Sequence, residues 1–310
     1  MQRRCLRVDY EEPAPAIFES CFDYCFGSKT SKTLIAINEA YMHRIYASDI
    51  TLNQSLFYAI STDDQTMTEH AQTNHGSERY ITTRPILPPS TERTVTQARA
   101  KDNLIIELRP IVQADLEHAY RLRTQEAVMV NTSTGVIDGS LEITQRWLDR
   151  FLAPNDKTSF NFMLWAKDDD QPWEHVGVVG SHVIEPVAHI GYMFRTEWWG
   201  KGLATEAVKT FLKLWWSLPR REVILETRAD EKHIAHIMRL EYDQPDLCDN
   251  GSNDSLGLKK VPEIMLAEVE QSNIGSIKVI ERKRFVLKDQ ETVVEDTGTF
   301  ILKDYVLTRN

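Results

Sequence analysis

A turn between a predicted strand and a predicted helix carries the residues best suited to chemistry. The strand covers residues 190–194, and the turn has Gly200 and Gly202 on either side of Lys201. Glycine lets the backbone approach a ligand closely, and the first N–H groups of a helix have no partner within the helix. A turn of this kind is typical of an anion site, most often for a phosphate or pyrophosphate group.

Two well-known nucleotide-binding loops do not fit this turn. A Walker loop requires Gly-x-x-x-x-Gly-Lys-Ser/Thr, whereas here one residue separates Gly200 from Gly202. A Rossmann loop requires three glycines directly after the first strand of a parallel unit, whereas this turn follows a predicted strand meander in the middle of the chain. A glycine pair alone is weak evidence, because a plain tight turn into a helix also explains it.

The turn belongs to an α+β pattern that begins at about residue 102. Hydrophobic periodicity and short connecting turns predict a mixed, mostly antiparallel sheet flanked by helices. The predicted strands cover residues 104–110, 160–166, 175–184, 188–194, 222–227, 263–269, 285–294 and 300–308, and the predicted helices cover 115–130, 140–152, 203–216 and 276–283. Residues 1–101 are predicted to be an N-terminal extension, partly disordered or a small accessory region. Its polar end, residues 61–101, has the composition of a flexible linker.

Composition bears on the partners and the compartment. The formal net charge of -10 and a pI near 5.5 argue against nucleic acid as a partner. No apolar run is long enough to cross a bilayer, and the first residues lack the apolar core of a secretion signal, so the cytoplasm is the default compartment, with the nucleus left open. His233 and His236 have the helical spacing of a metal-binding pair, but no clear further ligands accompany them, and no metal is predicted.

Two separate segments resemble the signature regions of the GNAT acyltransferases, most of all the RimJ/RimL branch. They are GYMFRTEWWGKGLATEA at 191–207 and EVEQSNIGSIKVIERKRF at 268–285. In the acetyl-CoA loop of the family, Gln/Arg-x-x-Gly-x-Gly/Ala, the first position is Trp199 here. The second segment matches N-x-x-S-x-x-V-L-E-K-x-G-F at several positions, but Arg284 stands where the family has glycine. The resemblance implies the GNAT (acyl-CoA N-acyltransferase) fold for residues 102–310.

The resemblance implies an enzyme that transfers an acetyl group from acetyl-CoA, as co-substrate, to a primary amine. The amine belongs to a protein N-terminus or to a small molecule, and transfer is direct within a ternary complex. The implied acetyl-CoA contacts are Met193, Phe194, Trp199, Gly200, Lys201, Gly202, Leu203, Ala204, Thr205, Asn273 and Ser276. A backbone N–H at Met193 or Phe194 would polarise the thioester carbonyl. Asn273 would contact the pantetheine arm, and Ser276 would protonate the leaving thiolate.

The general base is not fixed by either segment. Four residues are the main candidates: Glu185 and His189, before or on the fourth strand, and Glu291 and Glu295, on the sixth. His182 ranks below these four. We select His189 and Glu291, together with Ser276, as the predicted catalytic residues. The tyrosine acid that many GNAT enzymes carry in the last helix is replaced here by Ile280.

The resemblance also identifies residues 263–269 as the fifth strand of the family's sheet. Residues 222–256 are then an insertion, which is expected to loop out rather than to shape the acceptor site. Two alternatives stay open. The chain is a non-catalytic acyl-CoA-binding module if Arg284 and the insertion spoil the active site, and it is a different nucleotide-binding enzyme if the glycine turn serves another ligand.

Overall fold

The computed structural model of the chain describes residues 79–168, 171–226, 236–238, 258–295 and 298–309. The strands are β1 (Arg79–Pro85), β2 (Thr96–Arg99), β3 (Ile105–Pro110), β4 (Phe160–Lys167), β5 (Glu174–Val183), β6 (Ala188–Phe194), β7 (Arg220–Glu226), β8 (Lys259–Lys260), β9 (Ile264–Glu270), β10 (Val286–Glu295) and β11 (Gly298–Thr308). The helices are α1 (Leu116–Arg123), α2 (Glu126–Met129), α3 (Leu141–Asp149), α4 (Leu203–Ser217) and α5 (Ile274–Arg282). None of the helices in these described ranges combines the length and the apolar composition of a membrane span.

Eight strands form the main sheet, in the order β10-β11-β9-β6-β5-β4-β3-β2. Neighbouring strands are antiparallel except for β6 and β9, which are parallel. The prediction of a mixed, mostly antiparallel sheet is therefore confirmed. The predicted strand at 263–269 corresponds to β9 and does lie beside β6. The predicted helix at 115–130 is interrupted, because Thr124 and Gln125 separate α1 from α2.

Helix α4 covers one face of the main sheet because one stripe of its surface is apolar. Its fully buried stripe recurs at intervals of four residues: Leu203, Ala207, Phe211 and Trp215. Helix α5 packs beside it in the same core cluster. The opposite face is covered over β4 and β5 by α1 and α3, which bury Ala119, Leu122 and Leu148.

A second, smaller sheet of three strands has the order β7-β1-β8. Strand β1 pairs antiparallel with β7 over seven residue pairs and parallel with β8 over two. Tyr80 of β1 and Leu225 of β7 are buried in one apolar cluster with Ile264 and Leu266 of β9. The second sheet thus packs over β9 on the same face of the main sheet as α1 and α3, in the part of that face that these helices leave uncovered.

The observed strands correct three predictions. The linker prediction is wrong for residues 79–99, since β1 and β2 lie there and threonines such as Thr82 and Thr83 suit a strand as well as a loop. The strand predicted at 222–227 forms as β7 but joins the second sheet instead of the main one. The parts of the 222–256 insertion that the structure describes do not loop out, because β7 and residues 237–238 pack onto the main sheet.

Ion pairs fasten the second sheet to the main one. Arg84 of β1 forms an ion pair with Glu185 in the β5–β6 turn and donates from Nη2 to the Pro186 carbonyl at 3.2 Å. The buried Glu263 carboxylate accepts hydrogen bonds from Arg220 Nε at 2.8 Å and from Thr83 Oγ1 at 3.0 Å. These contacts hold β1 and β7 against the strands on either side of the β6–β9 boundary.

Candidate active site

Strands β6 and β9 separate in the interior of the main sheet. They pair only at two rungs, Ala188 with Met265 and His189 with Leu266, although both strands continue beyond these rungs. Strand β6 pairs with its antiparallel neighbour β5 from His189 to Phe194. The space between the C-terminal halves of β6 and β9 is called the strand gap below. Backbone groups that face a gap of this kind are available to a ligand.

The backbone of β6 faces the strand gap at alternate residues. Arg195 donates its N–H to a carbonyl of β5 at 2.9 Å, and the groups of an antiparallel ladder alternate in direction. Met193 therefore directs its N–H and C=O toward β5, whereas Tyr192 and Phe194 direct theirs toward the gap. The close approach at Gly177 agrees with this, since a Cβ there would lie 2.1 Å from the Met193 carbonyl oxygen. Phe194, more than Met193, can offer a free N–H to a ligand in the gap.

The turn after β6 adopts a backbone conformation that favours glycine. Gly200 has φ of +74° and Gly202 has φ of +77°, both in the left-handed region. A Cβ on Gly200 would meet no heavy atom within 4 Å, so the turn borders open space. The exposed Trp199 ring is fixed by a hydrogen bond from its Nε1 to the Phe194 carbonyl at 2.7 Å. The turn is thereby attached to the end of β6 at the strand gap.

The start of α4 provides a positive end beside this open space. Gly202 is the N-cap, and the N–H groups of residues 203–205 have no partner within the helix. The helix dipole adds a partial positive charge at the same end. Lys201 is exposed, and its ammonium lies 4.3 Å from the centre of the Trp198 ring. This arrangement is suited to an anion.

The start of α5 lies across the strand gap from β6. Asn273 is the N-cap, and its Oδ1 accepts a hydrogen bond from the Ser276 N–H at 3.1 Å. The Tyr192 hydroxyl of β6 donates to the Ser276 carbonyl at 3.3 Å. Burial raises the pKa of the Tyr192 phenol to about 12, so the hydroxyl stays protonated and remains a donor at neutral pH. The sequence does not predict a site role for Tyr192, because its partner is 84 residues away along the chain.

The other face of the sheet is open at the strand gap. His182 and Glu268 are exposed and His189 and Gly191 are half-buried, although β5, β6 and β9 are interior strands. A Cβ on Gly191 would lie 3.5 Å from the His182 ring, and residues 189 and 191 share a strand face. These four residues are called the open patch below. Helices α1 and α3 border it on one side, and the second sheet borders it on the other.

The structure brings some candidate bases to the strand gap and leaves others away from it. His189 lies at the last paired rung, where the gap begins. Glu291 on β10 pairs with Leu302 of β11, so β11 separates it from β9 by two strand spacings, roughly 10 Å. Glu185 lies in the turn before β6 and is paired with Arg84. His189 is the candidate base nearest to where the strands part.

Arg284, which stands at a family glycine position, adopts the conformation that glycine would take. Its φ is +66°, in the left-handed region, directly after α5. The Arg284 N–H donates to the Glu281 carbonyl at 3.0 Å, and the Phe285 N–H donates to the Ile280 carbonyl at 3.3 Å. These bonds close the helix end as a glycine C-cap does. The substitution therefore strains this turn without removing it.

Replacement of Arg284 by glycine is expected to raise the free energy of unfolding by about 1 kcal/mol, since glycine has no Cβ strain at positive φ. Urea denaturation of the two proteins measures the difference. Replacement of Lys278, which is exposed in the middle of α5, by glycine serves as the control and is expected to lower stability by about 1 kcal/mol. A loss of stability in Arg284→Gly would contradict the strain at this turn.

Comparisons with known proteins agree with the sequence resemblance. Residues 106–286 match the model of the acetyltransferase (GNAT) domain family. Similar solved structures include a GNAT-family acetyltransferase from Bacillus anthracis (16% identity, 69% of this chain, 97% of that chain, TM-score 0.44), a probable GNAT-family acetyltransferase from Chromobacterium violaceum (14%, 80%, 97%, 0.45) and Mycobacterium smegmatis RimJ in complex with CoA-disulfide (16%, 72%, 90%, 0.45). Because the family model spans more than half of the chain, the protein belongs to the GNAT family and is an acetyl-CoA-dependent acetyltransferase, as its two signature segments predict.

Proposed function

We propose that the protein transfers the acetyl group of acetyl-CoA directly to a primary amine while both substrates are bound. The observation that carries this proposal is the strand gap. The α4 anion site and the start of α5 lie on one side of it, and the open patch with His189 lies on the other. A donor that enters from the helix side and an amine that enters from the patch would meet in the gap. Transfer then needs no acetylated enzyme intermediate.

The donor half follows from the groups around the turn. The N–H groups from Gly200 to Thr205 are proposed to bind the pyrophosphate, with Lys201 as an additional charge. The Phe194 N–H is proposed to bind the thioester oxygen and to stabilise the negative charge that develops on it. Asn273, whose Oδ1 holds the helix start, is proposed to contact the pantetheine arm with its amide.

The acceptor half requires a base, because a protonated amine cannot attack a thioester. We propose that His189 takes one proton from the ammonium group of the acceptor. The amine lone pair then forms the C–N bond, and the C–S bond breaks. The Ser276 hydroxyl gives its proton to the leaving thiolate and regains one from the nitrogen, which loses its second proton as the amide forms. Glu291 is a weaker candidate, since β11 lies between its strand and the gap. A primary amine on a protein N-terminus or on a small molecule fits this chemistry equally.

The organisation of the chain also remains a proposal. We propose an N-terminal extension over residues 1–101 and an acetyltransferase domain over residues 102–310, with the insertion at 222–256. Strands β1 and β2, although they precede residue 102, pair with strands of that domain. A cytoplasmic location, and the expectation of neither a metal nor a nucleic-acid partner, stay predictions from the sequence.

Replacement of Gly200 by alanine is expected to weaken acetyl-CoA binding by about 10-fold or more. The new Cβ would occupy the open space beside the turn, and the positive φ adds strain of roughly 1 kcal/mol. Isothermal titration calorimetry with acetyl-CoA measures the change. Gly135→Ala is the matched control, because Gly135 has φ of +66° and equally open surroundings in a loop before α3. Equal affinities in the two variants would argue against a pyrophosphate at the turn.

Two measurements test the proposed reaction: ligand binding tests the donor, and thiol release tests turnover. Acetyl-CoA at 100 times its dissociation constant should stabilise the protein by about 2.7 kcal/mol, visible as a thermal shift. ATP and NAD should give no shift, and stabilisation by these alone would contradict the proposed donor. Thiol release from acetyl-CoA is then measured with peptides and small amines. Binding without turnover on any acceptor would favour a non-catalytic module.

A further inference from the structure

A carboxylate on β9, two residues beyond the last paired rung of β6 and β9, lies close to the proposed base. His189 Nδ1 lies 3.6 Å from Glu268 Oε2. This is longer than a hydrogen bond, but catalytic hydrogen bonds are often long without substrate and shorten in the complex. The His189 side chain is 16% exposed and that of Glu268 is 38% exposed. The two residues form part of the open patch and lie where the strand gap begins.

The groups around this pair leave the Glu268 carboxylate well placed to accept a hydrogen bond from His189. His182 on β5 is the other imidazole of the patch. The nearest acidic group before β6, Glu185, is paired with Arg84 of the second sheet. Glu268, in contrast, makes an ion-pair contact with His189.

The chemistry of a histidine base explains why such a contact matters. Neutral imidazole carries one proton, on either Nδ1 or Nε2, and only the nitrogen without it can accept another. A carboxylate beside Nδ1 favours the Nδ1–H tautomer and so frees Nε2. The same carboxylate stabilises the imidazolium that forms when the proton arrives.

We propose that Glu268 is the positioning residue of the active site: it holds the Nδ1–H of His189 and directs the Nε2 lone pair to the acceptor amine. This inference rests on the proposed role of His189 as the base. Glu268 itself does not touch the reacting atoms. During transfer the amine proton moves to Nε2, and Nδ1–H remains with the carboxylate.

Imidazole NMR of the ligand-free protein tests the proposal without any activity assay. The ring ¹⁵N shifts at alkaline pH report which nitrogen carries the proton, and the His189 signals among the nine histidines are those lost in His189→Gln. The wild-type protein should show the Nδ1–H tautomer. Glu268→Ala should shift the population toward Nε2–H. The same tautomer in both proteins would overturn the proposal.

Kinetics provide the second readout. Glu268→Ala is expected to lower kcat about 10-fold or more while the dissociation constant of acetyl-CoA changes less than about 2-fold. Glu268→Gln should retain more activity, because its amide oxygen still accepts from Nδ1–H. When Glu268→Ala is added to His189→Gln, kcat should fall no further, since both residues act through one base. Additive losses would overturn the proposal.

Controls separate this inference from the proposed function. Glu222→Gln removes an exposed carboxylate of the second sheet, paired with Lys260, and should leave kcat unchanged. If the wild-type protein acetylates no primary amine, the proposed function fails, while the tautomer measurement still decides the role of Glu268. If the wild-type protein is active and neither the tautomer nor kcat responds to Glu268→Ala, this inference alone fails.

Discussion

Replacement of His189 by glutamine is expected to lower kcat for acetyl transfer by about 100- to 10,000-fold, the usual contribution of a general base. His189 lies where β6 and β9 separate, on the open face of the sheet, and glutamine keeps a similar volume without a basic nitrogen. Steady-state thiol release from acetyl-CoA, with a saturating amine acceptor, measures the effect.

The control for this prediction is another histidine. His236 is exposed and lies 3.4 Å from Asp289, away from the β6–β9 pairing, so His236→Gln should leave kcat within about 2-fold of wild type. The affinity of His189→Gln for acetyl-CoA should be unchanged, because the proposed donor contacts lie on the other side of the gap. A kcat within about 3-fold of wild type would move the base elsewhere, with Glu291 the next residue to test.

Replacement of Asp138 by alanine is expected to lower the free energy of unfolding by about 3–5 kcal/mol. Asp138 receives two hydrogen bonds from Arg123, at 2.6 and 2.8 Å, and one from Thr144 at 2.6 Å. The Arg123 and Asp138 side chains are only 5% and 3% exposed. Loss of the carboxylate would leave a buried guanidinium without its partner, which is far more costly than loss of an exposed pair.

Urea denaturation of Asp138→Ala measures this loss. Asp149→Ala, at the exposed end of α3, is the control and should change stability by less than about 0.5 kcal/mol. The Asp138 network joins α1, α3 and the loop between α2 and α3, so its loss should also disturb the helices that border the open patch. A destabilisation below about 1 kcal/mol would show that the pair contributes little to this packing.

The local features of the donor site were predictable because the information lies in short segments. Gly200 and Gly202 predict a backbone with positive φ, and both residues have positive φ in the structure. Asn273 and Ser276 are three residues apart, and the side chain of the first caps the N–H of the second. The apolar repeat of α4 likewise predicts which side of that helix is buried.

The acceptor side was less predictable because its residues are joined by pairing between distant segments. Glu268 meets His189 only because β9 lies beside β6, and no local pattern in the sequence brings them together. On the donor side, the hydrogen bond from the Tyr192 hydroxyl to the Ser276 carbonyl depends on the same strand arrangement. Tyr192 and Glu268 lie in the two signature segments, but the family motifs specify neither residue, and the sequence alone does not distinguish them from packing or surface residues.

The second sheet shows the same limit on a larger scale. Strand β1 is polar, and its partner β7 lies about 140 residues further along the chain. Composition therefore predicts a linker at β1, and the family resemblance predicts an insertion at β7. Their pairing buries Tyr80 and Leu225 against β9 and supplies one border of the open patch. The segments outside the two signature regions therefore help to build the site that those regions leave undefined.

The most direct test of the account is a two-substrate kinetic measurement with acetyl-CoA and a primary amine that supports thiol release. Direct transfer in the strand gap predicts intersecting double-reciprocal lines and no acetyl group on the protein when acetyl-CoA is added alone. Parallel lines together with an acetylated protein, detected by intact-mass spectrometry, would contradict direct transfer and require a covalent intermediate.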